Sequence, residues 1–304
     1  MKTAVCFPGQ ALSPMPDMLQ RFGRIPIVKP TIEEGLQYVD AIQTPVSDRT
    51  LQQLQTFITS VASYQIVRGI GIPVSVFAEH GAGFYASLVA AQAMYFSQGL
   101  EIIELTGCLL DEVAQQGDYD MASIVGLSRD EINSVCSVAA ESGEVYLANI
   151  NGPTWFVLSG HKTAVATACD GAIRRGAMEA RLLGIGTPIH TNLLERSSRR
   201  LRKQLATMTF QPPTTPIIEH IYAHRVVARN ILDLLSQQIF MPVKWTRVME
   251  VLLTRMGIDT FVVLAPDNNL TSLIKTNREG AAVISLGEPD SLDEAIERLS
   301  ELGP

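Results

Sequence analysis

One stretch constrains this chain more than any other: residues 74–91, which read VSVFAEHGAGFYASLVAA. An apolar run stops at Glu79 and His80, two glycines flank Ala82, and a pattern compatible with a long helix begins. This order predicts a strand that turns sharply into a helix, the arrangement called a nucleophile elbow, whose apex residue lies beside the positive helix N-terminus. The apex residue is normally serine. Here it is Gly81, which has no side chain.

Length and composition narrow the class of protein. A chain of 304 residues can hold one large domain, or one large and one small domain. Hydrophobic residues make up 46% of the chain and charged residues 18%, as in compact globular proteins. The formal net charge of −7 argues against a nucleic-acid partner, because non-specific binding to nucleic acid needs a basic surface.

Targeting signals and cysteine spacing predict where the protein resides. No apolar run approaches the ~18 residues of a membrane span, and the N-terminal apolar stretch is too short for a signal peptide. The cysteines are widely spaced without a C-x-x-C pattern, which is typical of reduced thiols. We therefore expect a cytoplasmic protein with no membrane partner. We predict no metal site, because His220 and His224 lie in a segment that favours a strand.

Two segments resemble one enzyme family. Residues 79–88, EHGAGFYASL, resemble the elbow G-H-S-x-G-E-(Y/F)-A-A-L of malonyl-CoA:acyl-carrier-protein transacylases, except that the serine is absent. Residues 7–10, FPGQ, follow a short buried strand and resemble the family's F-P-G-Q-G segment. The resemblance implies that the backbone amides of Gln10 and Ala82 form an oxyanion hole, with His80 lining the cleft.

Two further segments carry residues of the implied site. Residues 148–153, ANINGP, resemble the family's A-N-x-N-S-P turn, so that Asn151 would line the active-site cleft. Residues 186–194, GTPIHTNLL, resemble its P-F-H-S-x-L-M segment, so that His190 would be the general base. Imidazole suits that role because its reference pKa is about 6.5. Alone, the first segment would indicate only a turn and the second a structural histidine.

A fifth segment also resembles the family. Residues 234–245, LLSQQIFMPVKW, resemble the family's L-x-x-Q-L-x-x-P-V-x-W and place Gln238 near the serine–histidine region. A polar residue at a helix end is the alternative interpretation of Gln238. The order and spacing of the five segments are far more specific than any one of them, and they cover nearly the whole chain.

Residues 104–107 predict which acyl group the chain would accept. They read ELTG where malonyl-specific relatives have R-x-R-G, whose second arginine binds the malonyl carboxylate. Thr106 stands at that arginine position, and Glu104 would repel an anionic acyl group. We therefore expect uncharged acyl groups to be preferred over malonyl.

The chain pattern also predicts the fold. Predicted strands and helices between residues 121 and 185 follow the order βαββαβ, which is the ferredoxin-like signature. We expect an α/β protein with an α/β-hydrolase-like, parallel-sheet large subdomain, residues 1–119 and 187–304. A ferredoxin-like small subdomain, residues 120–186, is inserted into it. The resemblance implies that an acyl thioester binds in the cleft between them.

Three functional hypotheses follow from the resemblance. The first is a protein of fatty-acid or polyketide synthesis that binds acyl thioesters of coenzyme A or of the carrier-protein 4′-phosphopantetheine arm, with no bound cofactor. It would be inactive in acyl transfer, because Gly81 cannot form the covalent ester. Gly81 is either a natural divergence or an engineered replacement of serine. The second is an acyl-thioester hydrolase or transferase of uncharged acyl groups. The third is a carrier-protein-binding structural partner of a polyketide synthase complex.

Overall fold

The computed structural model describes residues 2–9, 19–20, 22–43, 46–267, 269–287 and 292–301. Gln10, predicted as an oxyanion donor, lies outside these ranges. The chain forms two compact units. The first comprises Met1–Gly107, Met208–Ile231 and Val248–Pro304, and the second Cys108–Thr207 and Leu232–Arg247. No helix within the described ranges is long and apolar enough to cross a membrane.

The regular elements are numbered in chain order. The strands are β1 (Thr3–Phe7), β2 (Val74–Glu79), β3 (Tyr119–Val125), β4 (Val145–Gly152), β5 (Trp155–His161), β6 (Glu179–Leu182), β7 (Ile217–Ile218), β8 (Thr260–Val263) and β9 (Ala282–Ser285). The helices are α1 (Lys29–Ala41), α2 (Asp48–Ile70), α3 (Gly83–Ala90), α4 (Phe96–Ala114), α5 (Arg129–Ala139), α6 (Lys162–Arg174), α7 (Glu195–Gln204), α8 (Ile231–Gln237), α9 (Trp245–Glu250), α10 (Leu270–Asn277) and α11 (Leu292–Glu301).

The first unit is built on a parallel sheet with the strand order β7-β2-β1-β8-β9. All of its paired strands run parallel. The central strand β1 has the sequence TAVCF and is buried along its whole length. A strand buried on both faces requires such a continuous apolar run, because helices cover both sides of a parallel sheet.

Helix α2 shows how local signals set an element's limits. The Ser47 side chain accepts a hydrogen bond from the Thr50 amide and caps the N-terminus, and Gly71 ends the helix at φ +84°. Apolar spacing alone predicts this helix only from residue 51, because the first turn is polar. The sequence of helix α1 carries only a weak helical pattern, because Ile32 and Gly35 are its buried residues. It lies in a stretch that shows little sequence pattern.

The second unit contains an antiparallel sheet with the strand order β4-β5-β3-β6. Helices α5 and α6 pack on it around a core that includes Ile124, Ile132 and Phe156. Four antiparallel strands in this order, with a helix after the first and after the third, form the ferredoxin-like arrangement. The predicted fold class is confirmed.

The limits of the units and of one helix differ from the predicted ones. The second compact unit extends beyond residues 120–186 and takes in Leu232–Arg247 from later in the chain. Its sheet nevertheless lies within the predicted range, apart from Tyr119 at the start of β3. Apolar spacing predicts an amphipathic helix over residues 246–256, and the segment is helical, although not α-helical throughout. Helix α9 ends at Glu250, and a π-helical segment, Val251–Met256, continues to a left-handed Gly257.

Candidate active site

The predicted turn from strand to helix is present in the first unit. Strand β2 ends at Glu79 and helix α3 begins at Gly83. Gly81 lies at the apex, is buried, and has φ of +55°. The Phe84 amide donates to the Gly81 carbonyl oxygen at 3.1 Å, which starts the helical pattern. The chain therefore turns through a left-handed residue, as an elbow requires.

The segment after β1 packs directly against this elbow. The His80 amide donates to the Phe7 carbonyl oxygen at 3.1 Å. A Cβ atom on Gly83 would lie 2.3 Å from the same oxygen, and one on Gly9 would lie 3.0 Å from the His80 carbonyl oxygen. Glycine is needed at residue 83 because two backbone segments approach too closely for any side chain. This contact places residues 7–9 beside the elbow.

Thr106 lies near helix α3 in the same unit. Its side chain is 1% exposed, and the Tyr85 hydroxyl donates to its Oγ1 at 3.3 Å. Burial raises the pKa of Tyr85 to about 12, so the tyrosine stays protonated and remains a donor. Two residues earlier, Glu104 accepts a hydrogen bond from the Tyr38 hydroxyl at 2.5 Å. Residues 104–106 thus contain a threonine hydroxyl and a hydrogen-bonded glutamate carboxylate, and residue 106 carries no positive charge.

His190 is held by backbone groups of the second unit. It has φ of +61°, and its amide donates to the Ile239 carbonyl oxygen at 2.8 Å. Its Nδ1 lies 2.8 Å from the Met241 carbonyl oxygen. A carbonyl oxygen can only accept, so Nδ1 carries the proton and Nε2 is the basic nitrogen. This is the tautomer that a general base needs, with a carbonyl as the orienting group.

The segment that holds His190 also reaches the strand carrying Asn151. The Val243 amide donates to the Ala148 carbonyl oxygen at 2.9 Å, and the Ile150 amide donates to the Val243 carbonyl oxygen at 2.8 Å. Asn151 is 5% exposed and Gln238 is 3% exposed. Residues 238–243 therefore link the three predicted positions of this unit: the histidine, the asparagine turn and the glutamine.

The Gln238 side chain is buried with a donor that is unsatisfied within the described ranges. Its amide nitrogen Nε2 is buried, and among the described residues it has no hydrogen-bond partner. A buried amide donor without a partner costs free energy, on the order of 1–3 kcal/mol. A ligand that accepts a hydrogen bond from Nε2 would remove this cost, which is what the predicted site role of Gln238 requires.

Ser87 does not replace the missing nucleophile. The side chain is fully buried, and its hydroxyl donates to the Phe84 carbonyl oxygen at 2.8 Å within helix α3. A hydroxyl engaged in its own helix and closed to solvent cannot attack a thioester.

A buried carboxyl–imidazole pair at the elbow was not predicted from the sequence. Glu79 is 0% exposed and His220 is 1% exposed. His220 Nδ1 lies 2.7 Å from Glu79 Oε2, and the His220 amide donates to Glu79 Oε1 at 2.9 Å. The available signal was Glu79 itself, which stands where the resembled elbow motif has its first glycine.

The parallel-sheet unit with its elbow and the ferredoxin-like sheet make this chain similar to known acyl-carrier-protein transacylases. The malonyl-CoA:acyl-carrier-protein transacylase of Escherichia coli K12 is 29% identical over 97% of this chain and 98% of its own length. The Bacillus subtilis transacylase is 26% identical over 99% of this chain and 98% of its own length. No family model matches the chain.

Solved structures of transacylases are also similar to this chain. The transacylase of Coxiella burnetii superposes with a TM-score of 0.89 at 29% identity, covering 99% of this chain and 98% of that one. A malonyl-transacylase in complex with its type II polyketide synthase acyl-carrier protein has a TM-score of 0.89 at 28% identity, covering 98% and 100%. Homologues and structures together strongly support the malonyl-CoA:acyl-carrier-protein transacylase family for this chain.

Proposed function

We propose that this chain is an acyltransferase-family protein of fatty-acid or polyketide synthesis that binds acyl thioesters and does not transfer the acyl group. One observation carries the second part: a formed elbow, with its apex at φ +55°, whose apex residue is Gly81. In the mechanism that the resemblance implies, a serine at this apex takes the acyl group and later passes it on. Glycine has no atom that can form the ester bond.

The remaining groups fit binding better than turnover. His190 has the tautomer of a base, fixed by the Met241 carbonyl, but the apex supplies no hydroxyl proton for it to remove. Backbone amides at the elbow and at residue 10 would still polarise a thioester carbonyl. Without a nucleophile, such donors give only a small residual rate.

The proposed partners follow from the relatives. Those relatives are named as transacylases of malonyl-CoA and acyl-carrier protein, and one was solved in complex with a polyketide synthase carrier protein. We expect this chain to bind coenzyme A thioesters and the 4′-phosphopantetheine arm of an acyl-carrier protein, in the cytoplasm. A polyketide synthase complex is the proposed setting for the carrier-protein contact.

Binding without acylation is the test. Isothermal titration of the unmodified chain with acetyl-CoA, and separately with acyl-loaded carrier protein, should show saturable binding. Intact mass after the titration should be unchanged. Coenzyme A without an acyl group serves as the reference ligand. A stable acyl adduct on the Gly81 chain, or no binding of any thioester, would contradict the proposal.

A second candidate function is hydrolysis of the thioester by activated water. The observation that favours it is the orientation of His190, whose Nδ1–H is fixed by a carbonyl and whose Nε2 can accept a proton from water. Release of free acid from acyl-pantetheine substrates would be measured for the chain and for His190→Ala. Equal rates for the two proteins would eliminate this candidate.

A purely structural role in a synthase complex is the third candidate. It predicts that carrier-protein capture does not depend on the thioester-binding residues. A pull-down with Asn151→Ala and His190→Ala would then recover as much carrier protein as the unmodified chain. Loss of capture in both variants would favour thioester binding instead.

A further inference from the structure

The inference concerns the end of strand β2, just before the elbow apex. Strand β7 pairs with β2 only through Phe77–Ile217 and Ala78–Ile218. If the parallel ladder continued, the His220 amide would donate to the main-chain carbonyl of Glu79. In the structure it donates to the Glu79 side chain, to Oε1, at 2.9 Å. The carboxyl group thus takes the place of the next ladder bond.

The same carboxyl group makes a second bond to the same residue. Glu79 Oε2 lies 2.7 Å from His220 Nδ1. Oε1 accepts from the backbone amide and also lies 2.9 Å from Nδ1, so both carboxyl oxygens face the ring nitrogen and Oε2 is the nearer. Both side chains are almost completely shielded from solvent, where charged forms are strongly disfavoured. Burial raises the pKa of Glu79 well above its ordinary value and lowers the pKa of His220 to about 4. Both shifts favour the uncharged forms, in which Glu79 donates and Nδ1 accepts.

The loop on the far side of the pair is fixed by another carboxylate. Glu219 accepts hydrogen bonds from the amides of Ile221, Tyr222 and His224 at 2.6–3.1 Å. The Glu219 amide donates back to the His224 carbonyl oxygen at 3.1 Å. His220 is therefore presented by a closed loop rather than by a free segment. Glu219 is also the charged group whose field acts on the His220 ring.

On the near side, the bonds lie next to the apex. His80 follows Glu79 directly, and its amide is bound to the Phe7 carbonyl oxygen of β1 at 3.1 Å. The end of β2 is thus held by β1 on one side and by the Glu79–His220 pair on the other. Gly81, with its left-handed φ of +55°, lies two residues beyond this end of β2.

We propose that Glu79 and His220 are positioning residues: an uncharged, hydrogen-bonded pair that holds the elbow apex in place. The role of the apex rests on the function proposed above, whereas the pair itself is independent of it. The resembled elbow motif has glycine at residue 79, so the pair is a feature of this chain.

Matched substitutions of Glu79 test the pair. Glutamine has one donor and one acceptor in the places of a protonated carboxyl group, whereas leucine has neither at similar size. Amide hydrogen exchange would be followed at His80, Gly83 and Phe84, whose amides donate to backbone carbonyls at the elbow, with Phe261 and Val262 of β8 as the internal reference. We expect Glu79→Leu to speed exchange at the elbow at least tenfold relative to β8, and Glu79→Gln to stay within threefold of the unmodified chain.

Two results would contradict the proposed positioning role of Glu79 and His220. Elbow exchange that is unchanged in Glu79→Leu, or raised equally in β8, means that the side chain does not hold the apex specifically. Loss of protection in Glu79→Gln equal to that in Glu79→Leu means that the pair is charged. If Glu79→Leu does not fold, ¹⁵N shifts of the His220 ring in the unmodified chain decide. A neutral ring with a bare Nδ1 at pH 7 supports the proposal, and an imidazolium contradicts it.

Acylation of the Gly81→Ser form separates this inference from the proposed function. There, Glu79→Leu should lower the acylation rate at least tenfold with unchanged thioester affinity, and Glu79→Gln should restore it. An unchanged rate in the leucine variant would contradict the positioning role. If Gly81→Ser alone is never acylated, the cleft has diverged beyond residue 81, the proposed binding function is decided by titration, and hydrogen exchange decides whether the pair holds the apex.

Discussion

Gly81 decides what this chain can do chemically, although its backbone conformation differs little from what a nucleophile would need. Its φ of +55° lies in the left-handed region that glycine adopts without cost. A serine there would be strained by about 1 kcal/mol or more, a cost that elbows accept because it exposes the hydroxyl. The site therefore lacks one side chain rather than its framework.

Thr106 sets the acyl selectivity that we expect once a nucleophile is present. With no arginine at this position, nothing there offsets the desolvation of a malonyl carboxylate. The Gly81→Ser form should therefore be labelled by acetyl-CoA at least about tenfold faster than by malonyl-CoA, since an ion–arginine contact is worth more than ~1.4 kcal/mol. Initial labelling rates by intact mass measure this ratio.

A matched variant separates selectivity from packing. Thr106→Val keeps the side-chain size but removes the bond to the Tyr85 hydroxyl, which spans 3.3 Å. It should leave the acetyl-to-malonyl ratio unchanged. Faster labelling by malonyl-CoA in the Gly81→Ser form would show that another cation serves the carboxylate.

The contact between β1 and α3 leaves no room for a side chain at residue 83. A Cβ on Gly83 would meet backbone oxygens of Phe7 and Pro8 at 2.3 and 2.7 Å, and neither can move without moving the chain. Gly83→Ala should lower the free energy of unfolding by about 1–3 kcal/mol or more. Urea unfolding measures the change.

A helical glycine elsewhere provides the control. Gly171 lies inside α6, and its nearest atom to an added Cβ is Val135 Cγ1 at 3.6 Å, an ordinary contact. Gly171→Ala should therefore stabilise the protein by about 0.5–1 kcal/mol. If both variants shift stability in the same direction, the close approach at the elbow is not what constrains residue 83.

The elements that could be predicted from sequence are those with local signals. The elbow follows from an apolar run, two glycines and a helical pattern, and the ferredoxin-like sheet follows from its βαββαβ order. Pairings between distant residues could not be predicted this way. Glu79 and His220 are 141 residues apart, and His190 reaches the Met241 carbonyl over 51 residues. Nothing near either residue in the sequence indicates its partner.

For the chain as a whole, the buried His220 predicts a specific sensitivity to acid. Burial lowers its pKa from 6.5 to about 4 in the folded state. Below pH 6.5 the unfolded chain therefore binds a proton at this residue that the folded chain does not, so the His220 contribution to stability falls as pH falls toward 4, whereas the raised pKa of Glu79 contributes with the opposite sign. His220→Gln removes this term, and its stability should fall less steeply, by up to about 1.4 kcal/mol per pH unit.

Urea unfolding midpoints between pH 7 and pH 4.5 measure this difference. Carboxylates that ionise more readily in the folded state, such as Asp259, lose their contribution in both proteins alike. Parallel stability curves for the unmodified chain and His220→Gln would mean that His220 is not kept neutral by burial.

The central claim is that this chain is an acyltransferase framework disabled at residue 81. The most direct test is intact mass after incubation with acetyl-CoA and with malonyl-CoA, for the unmodified chain and for Gly81→Ser. We predict that only the serine form gains an acyl mass, and that His190→Ala in that background slows the gain. If neither form is acylated, the site has diverged beyond residue 81 and the claim is wrong.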